Sequence, residues 1–135
     1  MRQIKQIIVH CSATREGRNH TIADIERWHK EQGYREVGYH YVIHLDGTIH
    51  MGRKEEEIGA HCLGKNATSI GICYIGGLDQ YDRAKDTRTE AQKSALLRLL
   101  RKLKERYPKA KVYGHRDFSK KDCPCFDAKT EYQYL

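Results

Sequence analysis

The stretch Tyr39–Met51, YHYVIHLDGTIHM, decides the fold because it predicts a β-hairpin. Two runs rich in aromatic and β-branched residues, Tyr39–Leu45 and Thr48–Met51, flank the pair Asp46 and Gly47. Aspartate followed by glycine is the strongest short-range hairpin signal, since both residues tolerate positive φ. The predicted antiparallel pair argues against a doubly wound, wholly parallel sheet.

Outward from the hairpin, the pattern predicts three more strands and two helices. The pattern predicts a buried strand over residues 3–10 and a short last strand over residues 109–113. It also predicts a central strand over residues 69–75, because this run is apolar on both faces. The helices begin at Thr21 and Thr89, each followed three residues later by a capping-box partner, and end at Gly33 and before Pro108. We therefore expect an α/β fold with a mixed central β-sheet flanked by helices, forming one domain over residues 1–135.

The charge of the chain favours an anionic partner. The formal net charge is +7, and much of the basic charge lies in residues 93–111. Nucleic acid, a membrane surface or an acidic polymer would each satisfy this charge, and a solubilising helix face explains it equally well. No helix-turn-helix pattern or interleaved aromatic and basic strand supports nucleic-acid binding.

The cysteine count and the absence of long apolar runs limit the class of protein. Five cysteines without framework spacing argue against a disulfide scaffold and fit a reducing compartment. We expect four of them, Cys11, Cys62, Cys73 and Cys125, to be packing residues. No apolar run approaches the roughly 20 residues that cross a bilayer, and the N-terminus lacks the cleavage site of a secretion signal.

Two imidazoles and a thiolate are candidates for one metal site. His10 ends the first predicted strand, and the segment GHRDFSKKDCP, residues 114–124, carries His115 and Cys123. This ligand set suits zinc and leaves a fourth tetrahedral position open for water or substrate, as in catalytic sites. Because the chain has eight histidines and five cysteines, chance pairing remains an alternative from spacing alone.

An ordered series of motifs resembles the zinc-dependent N-acetylmuramoyl-L-alanine amidases of the phage T7 lysozyme type, which are related to the peptidoglycan recognition proteins. The motifs cover Ile7 to Asp127 and are VHCSAT, VGYHYVIHLDGTI, GR, IGAH, NATSIGICYIGGLD, GHRD and KDCPCFD. The sequence departs from the family at Cys62 and at Cys125, where the tail turn often has glycine. A second thiol two residues from a metal ligand makes ligand exchange or oxidation possible.

The resemblance implies a reaction and roles for eight residues. The reaction is hydrolysis of the amide between N-acetylmuramic acid and the L-alanine of the peptidoglycan stem peptide. One zinc ion per chain would be bound by His10, His115 and Cys123, with Tyr39 beside the zinc-bound water and Lys121 facing the reacting carbonyl. The substrate groove would be lined by His40, His61 and Asn66.

Several other polar residues are expected to have no role in the site. His20 and His29 are expected to be solvated, and His44 and His50 to face outward at the hairpin. Asp117 and Asp127 are weaker metal-ligand candidates, and Asp117 is expected to fix its loop instead. Without the resemblance, Tyr39 is by default a packed aromatic.

Two functional alternatives stay open in the sequence. A non-catalytic peptidoglycan-binding recognition module would keep the fold and groove, but the presence of Cys123, Tyr39 and Lys121 favours the hydrolase. For the hydrolase we expect a monomer that acts on peptidoglycan or muropeptides and binds neither nucleic acid nor membrane. We favour a phage or prophage endolysin, synthesised in the bacterial cytoplasm without a signal peptide, over a bacterial wall-remodelling enzyme.

Overall fold

A computed structural model, which describes residues 2–135, contains a five-stranded mixed β-sheet. The strands in chain order are β1 Gln6–Cys11, β2 Thr14–Arg15, β3 Tyr41–Ile43, β4 Ile49–Met51, β5 Ser69–Tyr74, β6 Gly77–Leu78 and β7 Lys111–Gly114. The spatial order of the main sheet is β4-β3-β5-β1-β7, and β2 pairs with β6 in a separate ribbon. β1 runs parallel to β5 and β7, and β3 runs parallel to β5 but antiparallel to β4. The predicted mixed sheet is confirmed, with strand ends shifted by up to three residues.

The hairpin closes through a turn in which only glycine adopts positive φ. Gly47 has a φ of +86°, and its N–H donates to the carbonyl of His44 over 2.9 Å. The carboxylate of Asp46 instead accepts the N–H of Thr48 at 2.9 Å, which fixes the turn through the side chain. The prediction of a hairpin at this position is correct.

The helices are α1 Ile22–Glu31, α2 Glu90–Arg106 and the short α3 Ala128–Glu131. At the start of α2 the N–H of Gln92 donates to the hydroxyl of Thr89 at 3.0 Å, and the N–H of Thr89 donates back to the Gln92 side chain at 2.9 Å. Gly33, with a φ of +98°, follows the end of α1. These capping signals were predictable because they depend on residues close together in sequence.

The two long helices cover opposite faces of the sheet. Leucines of α2 pack against one face together with Ile7, Val9 and Ile72, whereas Ile25 of α1 belongs to a second cluster with Val42 and Cys73. Because side chains alternate along a strand, His10 points away from α2, toward the face covered by α1. Among residues 2–135, no helix is long and apolar enough to span a membrane.

Candidate metal centre

His10, His115 and Cys123 converge at the carboxyl ends of two adjacent parallel strands. His10 lies near the end of β1, and His115 directly follows its neighbour β7. The two imidazole centroids are 4.5 Å apart, and one ligand atom from each of the three residues lies within 4.8 Å of the others. The topology therefore brings His10 together with two side chains that lie more than a hundred residues later in the sequence.

The tail segment that carries Cys123 is held by hydrogen bonds to the sheet and to the turn after β7. The N–H of Cys11 donates to the Cys123 sulfur at 3.2 Å, and the N–H of Arg116 donates to the Cys123 carbonyl at 2.7 Å. The buried hydroxyl of Tyr74 donates to the carbonyl of Pro124 at 2.6 Å. These contacts hold Cys123 beside the end of β1.

The electrostatics of the site keep both imidazoles neutral. Burial lowers the pKa of His10 well below its ordinary value, and the neighbouring His61, His115 and Lys121 lower it further. Burial, followed by the charge of Lys121, also lowers the pKa of His115. Metal binding requires a neutral imidazole and a thiolate, so the three donors fit a zinc ion.

Tyr39 and Lys121 lie beside these three residues. The ring of Tyr39 is 5.0 Å from the ring of His10, and burial raises the pKa of its phenol well above the ordinary value. The phenol is therefore protonated at neutral pH and can donate a hydrogen bond. Lys121 is exposed, and its charge acts on both His10 and His115, so a cation lies near the two imidazoles.

His61 contacts His10 directly. Its Nδ1 lies 2.8 Å from Nε2 of His10, and its own Nε2 lies 3.2 Å from the hydroxyl of Ser69. Burial lowers the pKa of His61 to about 3. The side-chain oxygen of Asn66 accepts the N–H of His61 at 2.8 Å and the N–H of Cys62 at 2.9 Å, so Asn66 fixes the loop that carries His61.

His40 does not line a groove, contrary to the sequence-based expectation. The residue is 0% exposed, its Nδ1 accepts the N–H of Gly71 at 3.0 Å, and its Nε2 lies 2.8 Å from the carbonyl of Glu57. Both ring nitrogens are thus engaged with the backbone, and no edge of the ring is open to substrate. His40 is a core residue that joins β5 to the loop after β4.

Two other histidines, which were expected to be solvated or to face outward, instead accept hydrogen bonds from backbone N–H groups. The Nδ1 of His29 accepts the N–H of Gly38 at 2.9 Å, and Nε2 of His44 accepts the N–H of Ile22 at the start of α1 at 3.0 Å. His20 is partly buried, with its ring centroid 5.3 Å from that of Trp28, and the ring of His50 stacks on that of His44 with centroids 3.9 Å apart. Backbone N–H groups at loops and helix starts need acceptors, and a nearby imidazole supplies one.

The acidic residues and the remaining cysteines take structural positions. The carboxylate of Asp117 accepts the N–H of Gly114 at 2.8 Å, as expected for a residue that fixes its loop. Asp127 caps α3 by accepting the N–H of Thr130 at 3.2 Å. The sulfurs of Cys11 and Cys125 are 3.8 Å apart next to the tail turn.

Comparisons with known proteins identify the family of the chain. The family model described as N-acetylmuramoyl-L-alanine amidase matches residues 1–126. The endolysin of Enterobacteria phage K11 is 42% identical over 125 residues, covering 93% of this chain and 83% of that protein. The endolysin of Escherichia phage T7 is 43% identical over 123 residues, covering 91% and 82%. Among solved structures, the N-acetylmuramoyl-L-alanine amidase LysC from Clostridium intestinale URNW superposes with a TM-score of 0.82 at 30% identity, covering 96% of this chain and 81% of LysC.

Proposed function

The chain belongs to the N-acetylmuramoyl-L-alanine amidase family and is a peptidoglycan amidase, and we propose that it works through a single zinc ion held by His10, His115 and Cys123. The observation that carries the proposal is the convergence of the three ligand atoms within 4.8 Å of one another. Zinc bound there would supply Lewis acidity, which polarises a carbonyl and activates water. The amide that is hydrolysed joins the lactyl group of N-acetylmuramic acid to L-alanine.

Lys121 is proposed to stabilise the negative charge that develops on the carbonyl oxygen. When water adds to the amide, that oxygen becomes an oxyanion, and the C–N bond then breaks as the leaving nitrogen takes a proton. Lys121 is exposed, and its charge acts on His10 and His115, which supports a position close to the reacting carbonyl. A cation in this position is useful because a thiolate ligand makes the zinc less electron-withdrawing than a third imidazole would.

Tyr39 is proposed to orient the attacking water. Its phenol stays protonated at neutral pH, so the O–H can donate to or accept from a water molecule next to His10. The ring of Tyr39 packs against the ring of His10, with centroids 5.0 Å apart, which keeps Tyr39 beside the proposed zinc ligand.

The biological setting is proposed from the relatives. Two relatives that are 42% and 43% identical are phage endolysins, so we propose that this chain is also an endolysin, with residues 1–135 forming its catalytic domain and acting as a monomer. It would be made in the bacterial cytoplasm and would reach the wall by release through a membrane lesion. Asn66 is proposed to shape the stem-peptide groove through the loop that it fixes.

Digestion of purified peptidoglycan tests the proposal. Zinc-loaded protein is compared with chelator-treated protein, with Cys123→Ser, and with Cys125→Ser as the matched cysteine control. We expect stem peptides with a new N-terminal alanine, identified by mass, from the wild type and from Cys125→Ser only when metal is present. Full activity of Cys123→Ser, or of metal-free protein, would contradict the zinc assignment. Zinc-replete protein that binds the wall but releases no peptide would indicate a recognition module.

A further inference from the structure

The contact between His10 and His61 restricts how His10 can bind a metal. Nε2 of His10 and Nδ1 of His61 are 2.8 Å apart, and the two rings meet edge to face at 87° with centroids 4.9 Å apart. A separation of 2.8 Å between two nitrogens is a hydrogen bond, so one of them carries the shared proton. A neutral imidazole has one donor and one acceptor nitrogen.

Only one of the two proton arrangements leaves His10 able to act as a ligand. If Nδ1 of His61 were the donor, neutral His10 would carry its proton on Nδ1, and its Nε2 lone pair would be occupied by His61. If Nε2 of His10 is the donor, its Nδ1 lone pair is free for a metal. The proton of His61 then lies on Nε2, where the hydroxyl of Ser69, 3.2 Å away, can accept it.

We propose that His61 is a positioning residue, which accepts the Nε2–H of His10 and so presents Nδ1 of His10 to the zinc ion. The proposal rests on the zinc site described under the proposed function. It gives His61 a role toward the metal ligand rather than toward the substrate, because both of its ring nitrogens are already engaged. Outer partners of metal-bound histidines fix the tautomer and the ring orientation in this way.

The surroundings of His61 hold its ring in one orientation. A Cβ atom placed on Gly71 would lie 2.6 Å from the His61 ring, and one on Gly59 would lie 2.7 Å from it. Two glycines therefore leave the space that the imidazole fills. Asn66 fixes the backbone of His61, and Ser69, which is 0% exposed, meets the far nitrogen of the ring.

Zinc affinity of two variants tests the proposal. His61→Leu has no acceptor, whereas His61→Asn keeps a side-chain oxygen close to the position of Nδ1. We expect zinc affinity, measured by competition with a chromogenic chelator, to fall about 10- to 100-fold in His61→Leu and to be largely restored in His61→Asn. Far-UV circular dichroism checks that both variants fold.

A second measurement needs no variant. Long-range ¹H–¹⁵N correlation NMR on the wild type should find the His10 proton on Nε2 in the zinc-loaded protein. A His10 proton on Nδ1, or His61→Leu with wild-type zinc affinity and a raised KM, would overturn the proposal and return His61 to the substrate groove. Wild-type protein whose zinc affinity does not depend on Cys123 would instead refute the proposed zinc site. The failure of the His61 proposal and the failure of the zinc site are therefore distinguishable.

Discussion

At the scale of single residues, Lys121 is the group whose role depends most on charge. It is exposed, and its ammonium is expected to act on the developing oxyanion rather than on the fold. Replacing Lys121 with methionine keeps the length of the side chain and removes the cation. We expect kcat to fall by roughly 10²–10³, the usual cost of losing one oxyanion donor, with zinc content and thermal stability unchanged. Lys120→Met, at the exposed neighbouring position, is the control, and near-native kcat in Lys121→Met would refute the role.

Gly71 is a core residue whose backbone packs against the imidazole of His61, next to the proposed metal site. It lies in the central strand β5, and a methyl group there would overlap the His61 ring. Gly71→Ala should displace His61, lower zinc affinity, and reduce the free energy of unfolding by about 1–3 kcal/mol through overpacking. Ile72→Val, on the opposite face of the same strand, should destabilise by about 1 kcal/mol and leave zinc affinity unchanged. Equal zinc affinity in Gly71→Ala and Ile72→Val would show that His61 is not displaced.

At the scale of secondary-structure elements, His40 connects β5 to the loop after β4 and makes the fold sensitive to acid. Burial lowers its pKa, with smaller contributions from Arg2 and Arg53, while the contact with the Glu57 carbonyl and the charge of Glu55 oppose the shift. Because the folded pKa lies below the unfolded value near 6.5, the contribution of His40 is complete above pH 6.5 and is lost as the pH falls toward the folded pKa.

Urea unfolding of the metal-free protein measures this effect. The free energy of unfolding should decrease below pH 6.5, with each such histidine adding up to about 1.4 kcal/mol per pH unit. His40→Asn keeps an acceptor for the N–H of Gly71 but cannot be protonated, so its stability should fall less steeply. Since His10, His61 and His115 also have lowered pKa values, the difference in slope between the two proteins is the readout. Identical slopes would exclude His40 as a contributor.

Arg88 connects the start of α2 to α3. It is 7% exposed, pairs with Asp86 at 2.8 Å and with Glu131 at 2.9 Å, and lies 3.4 Å above the ring of Phe126. Arg88→Lys keeps the charge but loses the planar guanidinium, which pairs with two carboxylates and stacks on the ring of Phe126. We expect a loss of roughly 2 kcal/mol in urea unfolding, with Arg83→Lys at an exposed site as the control. A change of less than about 0.5 kcal/mol, the usual size of a surface substitution, would show that the pairs are not a stabilising connection.

The elements that were predictable from sequence are those specified by neighbouring residues. The hairpin at Asp46 and Gly47 and the capping box at Thr89 depend on spacings of a few positions, and the structure has them where expected. The meeting of His10 with His115 followed from strand ends and from the family resemblance. The contact of His61 with His10 was not predictable, because residues 52–65 form an irregular loop whose path no periodicity encodes. The burial of His40 was missed because a buried histidine and a groove histidine look the same in sequence.

At the scale of the whole molecule, the basic charge of α2 is separated from the candidate metal centre by the sheet. α2 covers the face opposite to that of His10, and its residues Arg98, Arg101 and Lys102 are exposed. Residues 93–111 hold eight basic residues and one acidic residue, so this surface accounts for the sign of the net charge of +7. The electrostatic potential of this basic surface raises the rate of encounter with an anionic polymer but does not change the catalytic step.

Charge reversal on α2 separates wall association from catalysis. Each of Arg98→Glu, Arg101→Glu and Lys102→Glu removes two units of charge, and the triple variant should associate with anionic peptidoglycan roughly tenfold more slowly at low ionic strength. Hydrolysis of a small soluble muropeptide should keep its wild-type kcat/KM, because the proposed metal centre lies across the sheet and the Debye length is about 8 Å at 0.15 M salt. The difference on polymeric wall should shrink as salt is added. Equal losses on wall and muropeptide, or a loss that salt does not change, would mean that these residues act through the fold or the groove and not through long-range charge.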